Sequence, residues 1–275
     1  MSRSRIAMTW PLLAAALVAA ALALGGCSLV AEDPASSPGP ALSAATSGPL
    51  QVSAAATLRE AFAEIAEGFE RETGVEVLFN FGASGVLQKQ IEGGGPVDVF
   101  ASAAPRQVNE LVAGGFASAE DAATFAANRL AIIVEPGNPA GVAGPEGLSR
   151  LTRVATGNLD TTPAGAKARE WLESLGAWDE VEPLLVYGEN SAQALGFLES
   201  GEVQAALIFA NEATNATGRV ETAYVAERSD LPPSRYVIVP LAASNNPDAA
   251  TAFVEYVLSE PGQAILVRHG FERWE

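Results

Sequence analysis

Histidine and cysteine are nearly missing from these 275 residues: there is one of each, His269 and Cys27. A lone cysteine can form no internal disulfide and no thiolate metal site, and a His-rich metal centre is excluded in the same way. Any Ser-His-Asp or Cys-His arrangement would depend on His269 alone. That residue stands in ILVRHGF, an apolar helix pattern in which a basic side chain suits the helix end. Positive charge is also scarce. Sixteen Lys and Arg face 33 Asp and Glu, a formal net charge of −17, which makes nucleic acid a poor partner. G-x-G-x-x-G and P-loop spacings are absent. Acidic stretches such as ESGE and AERSD read as solvated faces and loops rather than as catalytic carboxylate pairs. Trp171 and Trp178 lie on or just beyond a helical segment, where packing on its core side and stacking a sugar both remain open. The expectation is a protein that is not an enzyme and holds no cofactor.

What is present starts with MSRSRIAMTWPLLAAALVAAALALGGC, where Arg3 and Arg5 precede an Ala/Leu-rich run that ends in Leu-Gly-Gly-Cys. This pattern reads as a secretory signal over 1–26 closed by a lipobox, with Cys27 becoming the lipid-bearing N-terminus. The competing reading is an uncleaved apolar anchor; both put the folded body outside the cytoplasm, attached to the cell membrane. Residues 27–48 are rich in Ser, Pro, Gly and Ala without apolar periodicity, the composition of a flexible tether.

From about Leu50 onward, short β-rich runs alternate with amphipathic helices, which predicts an α/β architecture with mainly parallel sheets. LQVSAA, VEVLFNF and VDVFASA are expected strands. Between the first two, Leu58, Phe62, Ile65 and Phe69 recur at helical spacing, with Thr57 and Glu60 as an expected capping box and Gly74 as the stop. RLAIIVEPGNP is an apolar strand running into Pro136, Gly137 and Pro139, a passage between units. RVATG, EPLLVYG, VQAALIFA and RVETAYVA supply a second α/β series, and LPPSRYVIVPLA is again a proline-flanked apolar strand before terminal helices. The expected division is a first domain over 49–131 plus 237–275 and a second over 132–236, joined by two crossing strands that act as a hinge.

Several expected strand-to-helix junctions carry small or hydroxylated residues: Thr57 in AAATL, Ser84 in FGASGV, Ala164 in TTPAGAK and Ser191 in GENSAQA. The first N–H groups of a helix lack intrahelical partners and the helix dipole is positive there, so such junctions suit anions without needing a formal charge. Taken singly, Thr57, Ser84 and Ser191 also read as ordinary N-caps. In α/β units these junctions gather at the carboxyl edge of each sheet, so two facing domains could bring four of them around one small ligand.

The stretches AAATL, FGASGVLQKQIEGGGPVDVFASA, PAGAKAREWLESLGAWDEV and RHGF together resemble the molybdate-binding proteins of bacterial ABC importers, over roughly Leu50 to Phe271. The resemblance implies a two-domain periplasmic-binding-protein fold and a molybdate or tungstate ligand held in the cleft between domains. It also implies partnership with an ABC permease and its ATPase, and a monomer is expected because one cleft needs no second subunit. By motif, Thr57 and Ser84 take the positions of the family's two hydroxyl ligands, while Ala164 and Ser191 take those of backbone donors in the second domain. The family's last ligand is a tyrosine hydroxyl at the end of VQAALIFA, where this chain has Phe209. Asn190 stands where the family carries an acid. Ser191 or Asn211 could replace the lost donor. Other oxyanions such as sulfate, or a lipid-tethered protein-binding module with a vestigial cleft, remain as alternatives.

Overall fold

The computed structural model describes residues 48–274. The signal segment, Cys27 and all but the last residue of the expected tether lie outside them.

The first sheet is ordered β2-β1-β3-β10-β4 and is built from β1 (Leu50–Ala55), β2 (Val77–Gly82), β3 (Val99–Ser102), β4 (Ala123–Asn128) and β10, the last strand (Ser234–Pro240). Around it pack α1 (Arg59–Thr73), α2 (Ser84–Glu92) and α3 (Pro105–Ala113), with α8 (Pro247–Leu258) and α9 (Glu260–Arg268) from the chain's end. The second sheet is ordered β7-β6-β8-β5-β9. Its strands are β5 (Leu130–Val134), β6 (Val154–Gly157), β7 (Leu185–Gly188), β8 (Ala205–Phe209) and β9 (Glu221–Val225), and its helices are α4 (Pro163–Ser174), α5 (Trp178–Val181), α6 (Ser191–Glu199) and α7 (Ala210–Asn215).

In each sheet four strands run one way and one is reversed. β1 is parallel to β2 and β3, and β10 is antiparallel to both of its neighbours. In the second sheet β6 is parallel to β7 and β8, and β5 is the reversed strand. The reversed strands are the two that enter from the other sheet. The chain leaves β4 and, after Arg129 alone, becomes β5; it leaves β9 and returns as β10. The passage between sheets therefore precedes the proline cluster after Val134, and β4 (ATFAAN) is a strand that its alanine-rich pattern does not announce.

Each sheet is covered on both faces, which explains the continuous apolar runs of its strands. Phe62, Phe69 and Phe253 meet edge to face at 5.3–6.0 Å, fastening α1 and α8 onto the first sheet. Trp171 is fully buried in the second core, stacked on Tyr224 with ring centroids 5.9 Å apart, which settles its packing role. α1 stops at Gly74, whose φ of 74° lets its N–H reach the Glu70 carbonyl. No helix among the described residues is long and apolar enough to cross a membrane.

Candidate functional site

Where the carboxyl edges of the two sheets face each other, a small cavity is lined by both halves of the molecule. From the first come Ala55 to Thr57 after β1, Gly82 to Ser84 after β2, and Ala103 after β3. From the second come Thr162 and Pro163 at the start of α4, Asn190 and Ser191 at the start of α6, and Phe209 at the end of β8. No charged side chain lines it. Four of the five expected positions, Thr57, Ser84, Ser191 and Phe209, thus line one cavity, and the fully buried Ala164 follows the lining residue Pro163 in the chain.

The mouth is bridged from one half to the other. Gly85 N–H donates to the Thr161 carbonyl at 3.0 Å, and Arg106 donates to the Asp160 carbonyl at 3.1 Å. A Cβ on residue 85 would lie 2.9 Å from the Thr161 oxygen, so the glycine permits this approach.

The expected caps are arranged differently. No Thr57–Glu60 capping box forms: Ala56–Leu58 is a 3-10 turn, Ala55 precedes it, α1 begins only at Arg59, and neither start has a side-chain cap. The tight turn directs the Thr57 hydroxyl inward, 3.0 Å from the Tyr236 hydroxyl. Ser84 is the first residue of α2 and not its cap; that position is held by Ala83, which offers no side-chain acceptor. At α6 the cap is Asn190, whose Oδ1 accepts from Gln193 N–H, and at α4 it is Thr162, whose hydroxyl accepts from Gly165 N–H. No side-chain cap accepts from the two helix starts contributed by the first half; the Gly85 N–H of α2 is given to the Thr161 carbonyl.

Ser84 Oγ accepts from Ala103 N–H at 3.2 Å, so its own proton remains to be given. Burial raises the Tyr236 hydroxyl pKa, keeping that group a proton carrier at any physiological pH. Residues 50–272 match the family of bacterial extracellular solute-binding proteins.

The chain belongs to that family. Its relatives are solute-binding proteins and not enzymes. The molybdate-binding protein ModA of Escherichia coli (strain K12) is 30% identical over 235 residues, covering 82% of this chain and 90% of the relative. The ModA of Mycobacterium tuberculosis (strain H37Rv) is 30% identical over 268 residues, covering 97% and 100%. Among solved structures, the periplasmic molybdate-binding protein of Azotobacter vinelandii superposes with a TM-score of 0.74 at 21% identity, over 82% of this chain and all of that one.

In this solute-binding protein Phe209 is 1% exposed and brings only an apolar ring to the wall, in edge contact with Tyr236 at 5.8 Å. Asn211 does not line the cavity. Its amide turns away from the cavity, donating to the Thr57 carbonyl at 2.9 Å and accepting from Asn128 at 2.7 Å. Tyr236, which contacts the lining Thr57, and Asn128, which contacts Asn211, had no signal in the sequence: SRYVIVP and ATFAAN read as strand or not at all. His269 ends α9 and sits between Asn215 Oδ1 at 2.8 Å and Glu64 Oε2 at 3.0 Å, a role in tying helices together and not in chemistry.

A second cavity adjoins Thr57, lined also by Arg59, Glu60, Arg219 and the buried Glu212. Burial pushes the Glu212 carboxyl up to about 8, and nearby Glu60 adds to the rise. The Phe209 N–H that Glu212 accepts from opposes it.

Proposed function

We propose that this solute-binding protein captures a fully ionised tetrahedral oxyanion, molybdate and with it tungstate, between its two lobes. It then presents the anion to the permease and ATPase of an ABC importer. The observation that carries the reading is the chemistry of the wall: hydroxyls and helix-start N–H groups from both lobes, and no charged side chain. Such a wall gives hydrogen bonds and cannot accept a proton from the ligand, which selects permanent anions by size and geometry. The names printed for its relatives point to the same ligand.

The negative surface is compatible with this. Charges beyond about 8–10 Å are screened at physiological ionic strength, whereas donors within the cavity act at contact. Thr57 and Ser84 come from one lobe and Ala164 and Ser191 from the other. A bound anion would therefore favour the closed arrangement, with residues 49–131 plus 237–275 moving against 132–236 as a monomer held to the membrane through Cys27. Sulfate is the second reading, favoured by Phe209, which removes one donor.

Thermal unfolding with molybdate, tungstate, sulfate or phosphate at equal ionic strength tests the proposal. Ligand at about 100 times its dissociation constant stabilises by roughly 2.7 kcal/mol, a shift of about 5–10 °C for a body of this size. Shifts with molybdate and tungstate alone are expected. A shift with sulfate instead keeps the site and changes the ligand, and no shift with any of the four overturns the proposal.

A further inference from the structure

The last residues of the chain lie across both passages between the lobes. Phe271 is buried in the first core with its ring edge-on to Tyr236 at 5.2 Å, and so fixes the tail to the first lobe. The next residue, Glu272, exchanges two backbone hydrogen bonds with Ala127, at 2.8 and 2.9 Å, adding one antiparallel bridge to the free edge of β4. Ala127 stands two residues before Arg129, the single residue between β4 and β5. Glu272 Oε1 accepts from Arg129 Nε at 2.7 Å. Its other oxygen, Oε2, accepts from Arg228, which belongs to the second passage, residues 226–233 between β9 and β10. One carboxylate therefore takes a charge-assisted bond from each passage. Both arginines are set on the second lobe. The Arg129 carbonyl accepts from Ala210 N–H at the start of α7, Ala226 N–H donates to the Leu130 carbonyl, and the turn that carries Arg228 is closed by Asp230 and Leu231 N–H on the Glu227 carbonyl.

We propose that Glu272 is a hinge strap, whose carboxylate ties both passages to the first lobe and biases the lobes towards the arrangement in which the mouth is bridged. This rests on the reading of the passages as a hinge about which the lobes close on a ligand. A one-residue link such as Arg129 has soft φ and ψ and absorbs a rotation of one lobe against the other. Rotation there swings the guanidinium away from an acceptor that Ala127 and Phe271 hold in place, and a second passage moving with the lobe draws Arg228 from the same carboxylate. The tail also passes close to the second lobe: a Cβ on Gly270, whose φ is 83°, would lie 2.7 Å from Thr214 Oγ1 and 3.1 Å from Asn211 Cα, both on α7. The strap is partly open to water, with the Glu272 side chain 27% exposed and those of Arg129 and Arg228 36% and 64%. Its bonds are accordingly weak and sensitive to salt, which suits a hinge that must still open to release its ligand. A modest bias towards the bridged arrangement raises the fraction of molecules ready to bind, and apparent affinity rises in proportion.

The test is Glu272→Gln, which keeps the length of the side chain and removes its charge, with Arg228→Gln as a second variant at the more exposed end of the strap. Small-angle scattering of the ligand-free protein is recorded at low salt and at about 1 M sodium chloride, where the Debye length falls to about 3 Å. The wild-type radius of gyration is expected to increase with salt. Both variants are expected to start from the larger value at low salt and to change little when salt is added. Molybdate affinity, read by titration calorimetry at low salt, should fall about fivefold in Glu272→Gln, while the saturated complex keeps the wild-type radius of gyration. A ligand-free radius of gyration that both variants leave at the wild-type value overturns the proposal, as does an equal salt response in wild type and Glu272→Gln. A tail that only adds stability would lower the unfolding temperature and leave the scattering unchanged, which also overturns it. If the wild-type protein binds no oxyanion, the reading of the cavity fails and the ligand-free scattering still decides the strap.

Discussion

Position 209 sets how many donors the cavity can offer. A hydrogen bond to a charged group contributes about 1.5–3 kcal/mol, so a hydroxyl restored there has a measurable effect. Phe209 lines the cavity and packs edge-on against Tyr236. Phe209→Tyr is therefore expected to tighten oxyanion binding by about tenfold, read by calorimetry. Marked weakening would mean that the ring fills space the ligand needs. The residue scale is also where the sequence was least legible. Thr57, Ser84, Ala164 and Ser191 could be singled out because each stands at a visible strand-to-helix junction, whereas Phe209 was pointed to only by the family resemblance. Tyr236 and Asn128 could not, because a hydrogen bond between residues 179 positions apart leaves no local pattern. Asn211, a possible donor by its sequence position, proves to be committed to a backbone carbonyl.

At the scale of elements, helix starts are the working parts, and their caps reveal a conflict between stability and binding. A helix gains roughly 1 kcal/mol from Ser, Thr, Asp or Asn at the cap, yet alanine stands before both the 3-10 turn and α2. Ala83 has φ −67° and ψ 132°, the extended geometry that a side-chain cap adopts. Ala83→Asp is accordingly expected to raise the ligand-free unfolding temperature by about 2–4 °C and to abolish the ligand-induced shift, since a carboxylate would occupy the N–H groups and repel an anion. Unfolding curves with and without molybdate check both halves; an undiminished ligand shift would remove α2's N-terminus from the site. The α/β alternation that produced these junctions was legible because apolar runs of β-branched residues and Phe/Leu/Ile helical spacing differ plainly. The caps were not: Thr57 followed three residues on by Glu60 is the pattern of a capping box, and only the contact with β10, far away in sequence, turns the hydroxyl inward.

For the whole molecule, the two lobes meet through α7 as well as across the cavity, and this contact makes stability depend on pH. Glu212 is buried, its Oε2 has no partner among the described residues, and its pKa stands at about 8 against an ordinary 4.5. Between these values the folded chain holds a proton that the unfolded chain has lost, so stability falls as pH rises from about 4.5 to about 8 and levels off above. Glu212→Gln should flatten that fall, with unfolding temperature against pH as the readout and a slope unchanged by the substitution as the contrary result. Closure gives the last prediction. Gly85 and Thr161 join the lobes at the mouth by a single backbone hydrogen bond, and a side chain at residue 85 would meet the Thr161 oxygen at 2.9 Å and its Cα at 3.2 Å. Both neighbours are backbone, so the clash can be relieved only by moving one lobe away from the other. Gly85→Val should thus leave each lobe's own packing intact while opening the cleft. Loss of the bond alone, about 1 kcal/mol, weakens ligand binding at least about fivefold, and small-angle scattering at saturating ligand should show a larger radius of gyration than for wild type. A variant that compacts and binds as wild type does would mean that the anion is held without this contact, and the lobes would then need no approach at the mouth to retain it.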